Sequence, residues 1–285
     1  MNAIARQSDK RAAFTIIELL TVMSVIIILI GLIVPSLNKF RRFARKVTQK
    51  NQFHAIGTAL DLFNVEWEGY PDSSATDDEG EQYCGAMKLC EALVGQDLLG
   101  FHPDSRFRRS DISGIDGLYN TGVEDNLKSR KDYLPAVKAN AFKMLDLYPE
   151  QGPFNAAASE MPLFVLCDMY KIIESGDTGK LVGMPILYYR ANTANTGHEV
   201  DAANNIYDYR DNHSLTLLGM QWKAPILNPE SKHTLFTNPE VFYEKTVDKN
   251  ITSANRPHRS DSYILLSAGF DGEYGTSDDV FNFGN

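Results

Sequence analysis

Between Phe14 and Val34 the chain carries one ionisable side chain, Glu18, among 21 residues that are otherwise uncharged and largely apolar. An ionised carboxylate in hydrocarbon is costly until a cation meets it, so a lone acid in such a stretch is a functional residue in need of a partner. At the other end of the chain, residues 267–280 pack four acidic side chains and three glycines into one short turn. Hard cations such as Ca2+ are held by about six to eight oxygens, and glycines let a backbone fold around the ion. The spacing is not that of an EF-hand, and an acidic hairpin turn that binds nothing has the same composition.

Other chemistry has no constellation to carry it. There is no Gly-x-Ser-x-Gly, His-Glu-x-x-His, Cys-x-x-Cys or phosphate-binding Gly-rich Lys motif, and the six histidines are scattered. The chain therefore reads as a non-enzyme. Two Tyr-rich segments, residues 188–190 and 207–211, suit sheet residues with a polar handle better than a carbohydrate or peptide platform. Cys84, Cys90 and Cys167 read as small buried hydrophobes; a Cys84–Cys90 bridge requires that segment to be a loop, because six residues apart on one helix the side chains diverge.

The elements that must position Glu18 follow from length and period. A helix of 21 residues spans about 32 Å, enough for a hydrocarbon core of about 30 Å. A basic leader (Arg6, Lys10, Arg11) precedes it. A secretory signal peptide also has a basic start, but its apolar core is shorter and ends at a small-residue cleavage site. Here the run continues past Pro35, where Leu37, Phe40, Phe43, Ala44, Val47, Ile56, Ala59, Leu60, Phe63 and Trp67 recur mostly at spacings of three and four. That is the helical period. One helix from Phe14 to near Trp67 would be about 80 Å long, with Pro35 expected to kink or locally melt it, or to separate two helices.

Residues 11–20, Arg-Ala-Ala-Phe-Thr-Ile-Ile-Glu-Leu-Leu, resemble the processing site of the type IV pilin and type II secretion pseudopilin family. The resemblance implies that a prepilin peptidase cuts between Ala13 and Phe14, that the new amino group of Phe14 is N-methylated, and that Glu18 stands fifth in the mature chain and serves assembly. Pro35 becomes twenty-second, where family members often carry a helix-distorting proline. Ala13 stands where the family has Gly, keeping small size. The acidic turn is similar to the calcium loop that follows a C-terminal strand in major pseudopilins, which implies Ca2+ on Asp271, Asp278 and Asp279, with Thr276 and Ser277 as further oxygen sources. The implied function is a structural subunit of a pilin-like fibre, most closely a type II secretion pseudopilin, with a type IV or minor pilin as the neighbouring reading. The implied partners are other pilin-like subunits, in a homopolymer or mixed fibre, the prepilin peptidase, and an inner-membrane assembly platform with its ATPase. The implied location is a single pass of the inner membrane with the head in the periplasm or cell envelope. The competing class is a membrane-anchored envelope enzyme or ligand-binding protein whose helix is a passive tether.

The expected organisation is a leader (1–13), a transmembrane half-helix (14–35), an amphipathic half-helix (36–67), a helix-rich insertion (68–182) and a C-terminal β region with the acidic loop (183–285). Helices are expected near Gly85–Leu99, Arg130–Met144 and Met161–Glu174, and strands at Pro185–Arg190 and Tyr263–Ser267. The fold class is α+β, a pilin-like lollipop with the long helix packed on a small antiparallel sheet. Residues 1–50 hold nine Lys/Arg and two Asp/Glu, which leaves the rest of the chain with a net charge of −16. An acidic head repels phosphates, so no nucleic acid is expected as a partner. Six basic residues follow the span and three precede it; that bias alone would put the head in the cytoplasm, against what the resemblance implies.

Overall fold

A run of apolar residues without an internal helix-breaking pair becomes one helix, α1, Ile16–Trp67. The computed structural model describes residues 15–112, 117–122, 124–148, 163–175, 179–218, 232–252 and 254–284. The chain divides into two units, Met1–Ala44 and Arg45–Asn285. In the first, the large apolar side chains from Ile16 to Val34 are between 47% and 84% exposed. Nothing among the described residues buries them, and this stretch of α1 is long and apolar enough to cross a membrane. α1 continues through position 35, so the proline neither ends the helix nor separates two helices, and the backbone stays helical there where local melting was expected.

In the second unit, Phe53, Ile56, Ala59, Leu60 and Phe63 of α1 are buried, a stripe at the helical period. Phe53, outside the expected series, belongs to this stripe, whereas Leu37, Phe40, Phe43 and Val47 of that series are exposed. Helix α2, Gly85–Val94, is buried on every side. Gly85 permits this, because a Cβ there would collide with the Tyr188 carbonyl. Gly95, at φ 82°, ends the helix and donates its N–H to the Glu91 carbonyl. The remaining helices are short: α3 Glu124–Ser129, α4 Ala136–Ala139, α5 Met144–Leu147, α6 His213–Leu218, α7 Thr234–Thr237 and α8 Glu240–Thr246.

The strands are β1 Ala141–Lys143, β2 Phe164–Leu166, β3 Ile173–Glu174, β4 Leu181–Val182, β5 Leu187–Arg190, β6 Tyr263–Ser267 and β7 Val280–Phe281. β1 pairs with β2, β3 with β4, and β5, β6 and β7 form an antiparallel sheet in that order. Leu187 faces Leu266 and Arg190 faces Tyr263 across the β5/β6 pair. Alternation along these strands splits the core in two. Tyr188, Tyr263 and Leu265 pack with the α1 stripe and with Leu89 and Leu93 of α2. Leu187, Tyr189, Ile264 and Leu266 pack with Phe242, Tyr243 and Tyr274 on the other face. The fold is α+β with a long N-terminal helix and small antiparallel sheets.

The insertion differs from its expectation. Residues expected as a helix over Arg130–Met144 form an extended stretch, one short turn of helix and strand β1. The described part of Met161–Glu174 holds strands β2 and β3. The helix expected to Leu99 stops at Val94, at the Gly95 signal. Short apolar runs do not distinguish helix from strand by period alone, and here the pairing of β1 with β2 decided it.

Candidate functional site

Thr15 and Glu18 build the first turn of α1. Thr15 donates to Glu18 Oε2 from its N–H at 2.9 Å and from its hydroxyl at 2.7 Å, and Glu18 N–H donates back to Thr15 Oγ1 at 3.3 Å. This is the reciprocal capping box, in which a Thr and the Glu three residues later satisfy amide donors that a helix start leaves unpaired. The spacing Thr-x-x-Glu is a sequence signal that the reading above left unused. Both accepted bonds fall on one carboxylate oxygen; among the described residues Oε1 has no partner. Ala13 and Phe14, the expected cleavage and methylation positions, and the leader before them lie outside the described residues.

Around Asp279, distant segments converge. Its carboxylate, 2% exposed, meets the Lys245 ammonium of α8 at 2.9 Å and accepts the Gly275 N–H at 3.0 Å. The same ammonium donates to the Thr276 carbonyl. Asp271 accepts the Glu273 N–H at 2.9 Å and the Thr276 hydroxyl at 2.8 Å. Thr234 donates to Glu273 at 2.6 Å, and the Leu235 N–H donates to the Tyr274 carbonyl at 2.9 Å. Burial pushes the Asp279 carboxyl upward, and the Lys245 ammonium opposes it. Gly275 adopts φ +99° with its α-carbon against the Leu235 amide, a place for glycine alone.

The three carboxylates expected to bind Ca2+ share one turn, and Asp271 lies near enough to Asp279 to push its carboxyl further upward. Asp279 is turned onto a lysine, the Thr276 carbonyl is taken by the same lysine, and Asp271 closes its own local turn. In this arrangement Lys245 occupies Asp279, and among the described residues no group of three or more His, Cys, Asp or Glu side chains is placed to hold a metal. Lys245 lies 34 residues before Asp279, and no local pattern announces the pair.

Two more charges sit on the buried helix α2. Lys88 reaches Asp72 at 2.5 Å, Ser74 Oγ at 2.7 Å and the Thr76 carbonyl at 2.9 Å. Glu91 accepts from Tyr83 at 2.5 Å, Ser105 at 2.5 Å, Tyr119 at 2.8 Å and Gln96 at 3.0 Å. Both residues pin the loops that flank α2. Lys88 and Ser74 are in contact, but an ammonium paired to Asp72 cannot act as a base. Cys84, Cys90 and Cys167 are free and buried, so the Cys84–Cys90 bridge is not formed; both lie on or beside α2. Tyr188, Tyr189 and Tyr207 are fully buried and present no platform. A cavity of about 590 Å³ lies between His198 and α8, with Glu199, Asp201, Glu240 and Glu244 on its walls.

The chain matches no protein-family model, no curated protein and no solved structure.

Proposed function

We propose that this chain is a structural subunit of a pilin-like fibre, most closely a pseudopilin of a type II protein secretion system, held in the inner membrane before assembly with its head outside the cytoplasm. One observation carries the reading. Glu18 is the only charged residue in an exposed apolar helical stretch, and one of its carboxylate oxygens is left without a partner among the described residues.

In this reading, removal of the leader creates an ammonium at Phe14, immediately before the cap residue Thr15. Thr15 fixes the Glu18 side chain through Oε2, leaving Oε1 for the Phe14 ammonium of a neighbouring subunit. In a low-dielectric surrounding an unpaired charge is far costlier than a paired one, so the register that pairs them is favoured over slipped ones. The exposed apolar side chains of Ile16–Val34 serve the bilayer before assembly and neighbouring helices after it. The tethered-ligand-binder reading has the acidic cavity beside α8 in its favour and no tyrosine platform to use.

Mass determination of the amino terminus in purified fibre or membrane material tests the reading. The expected outcome is a chain beginning at N-methylated Phe14. A functional form that retains residues 1–13 overturns it, because no ammonium then stands beside the cap.

A further inference from the structure

The acidic turn needs positive charge, and the chain supplies it. Of its four carboxylates, Asp279 has a side chain only 2% exposed. Burying a carboxylate without a cation is costly. The partner comes from α8: Lys245, itself 26% exposed, places its ammonium 2.9 Å from Asp279 Oδ2 and donates to the Thr276 carbonyl. A point cation that gathers one carboxylate and one turn carbonyl makes the kind of contact a bound metal ion makes in an oxygen-rich turn.

We propose that Lys245 is the resident cation of the C-terminal turn, holding residues 275–279 in place of a divalent ion, so that the head closes and stays closed without metal. The surrounding bonds agree. Asp271 is satisfied by the Glu273 N–H and the Thr276 hydroxyl, and Glu273 by Thr234, so the turn is fastened from within the chain. The Tyr274 N–H donates to His233 Nδ1 at 3.2 Å and the Tyr274 hydroxyl to the Pro185 carbonyl. An incoming calcium ion would have to displace the ammonium from Asp279 and the Thr276 carbonyl and leave it beside a dication, a like-charge arrangement. The consequence is mechanical. Asp279 immediately precedes β7, so Lys245 ties the α7–α8 segment to the edge strand of the central sheet. This inference stands or falls independently of the fibre reading.

The test is thermal unfolding of the full chain in detergent, in excess CaCl2 and in EGTA, for the natural sequence, Lys245→Met and Lys245→Arg. The expected result is one melting temperature for the natural chain in both solutions, a fall on the order of 5–15 °C for Lys245→Met, and retention of most stability by Lys245→Arg. A Lys245→Met chain that fails to fold while Lys245→Arg folds carries the same meaning as a lowered melting temperature. A natural chain that calcium stabilises by more than about 2 °C overturns the proposal. So does a Lys245→Met chain as stable as the natural one, or equal losses in the Met and Arg variants.

Discussion

Glu18 and Glu91 are both carboxylates on helices set among apolar residues, and the chain completes them differently. Glu91, on α2, is 1% exposed and accepts four hydrogen bonds from Tyr83, Ser105, Tyr119 and Gln96. Glu18, on the first turn of α1, has a single local donor residue, Thr15, which bonds one oxygen, while the apolar side chains around it are exposed. Within the head, the charges of α2 and Asp279 of the C-terminal turn find their counterparts inside the chain. In the N-terminal stretch Glu18 has, among the described residues, only its local cap, and on the proposed reading its counterpart is the amino terminus of a neighbouring subunit.

The sharpest way to break this contrast is to separate the charge of Glu18 from its capping role. Glu18→Gln keeps an acceptor for Thr15 and loses the charge. Fibre yield is expected to fall by at least about tenfold with membrane insertion unchanged, since a stranded ammonium in a low dielectric costs about 3–5 kcal/mol. Thr15→Ala removes the cap, at about 1 kcal/mol, keeps the charge, and is expected to retain most of the fibre. Equal yields from the two variants, measured by shearing and immunoblot, would reduce Glu18 to a helix cap and erase the difference from Glu91.

For Glu91 the expected effect is on stability alone. Glu91→Ala strands four buried or half-buried donors, each worth about 1–3 kcal/mol when left unpaired. A net loss of about 3–5 kcal/mol is expected by denaturant titration of the detergent-solubilised chain. Membrane insertion should be unaffected. A loss below about 1 kcal/mol would show that water replaces the carboxylate and that Glu91 is not sealed in as described.

A smaller effect concerns two further buried acids of the head. Asp168 accepts from Ser267 at 2.7 Å and from the Tyr170 and Met184 amides, and burial pushes its carboxyl up to about 7. Burial likewise pushes Asp211, which accepts from Ser73, up to about 8. Both values lie above the ordinary 3.8, so the folded head holds protons that the unfolded chain releases. That contribution is complete below about pH 4 and is lost as pH rises through about 7 and 8. Melting temperature is therefore expected to be lower near pH 9 than near pH 6, and Asp168→Asn with Asp211→Asn should flatten the profile. A natural chain with a flat profile would mean these carboxyls are ionised throughout.

The legible parts of the fold were those with a long or regular signal. The α1 pattern persisted over fifty-two residues, and the unbroken apolar run in Tyr263–Ser267, bounded by turn formers, matches a strand buried at every position. The illegible parts were short. Ala141–Lys143 and Phe164–Leu166 are three residues each, too few for a period to show, and each became a strand because the other was there to pair with. The candidate sites divide in the same way. Thr15 and Glu18 are three residues apart and readable as a cap, whereas Lys245 and Asp279 are 34 apart and meet only after α8 has docked beside the turn.

The sequence alone determined that residues 16–34 form an apolar helix with one carboxylate, because hydrophobic period and charge count are local properties. It also marked residues 267–280 as an acidic, glycine-rich turn. Tertiary structure decided how each acid is satisfied: Glu91 by two tyrosines, a serine and an amide, and Asp279 by a lysine. The physical reason is that a buried charge is stabilised by whatever donor folding brings within about 3 Å, and that distance is set by packing between segments, not by spacing along the chain.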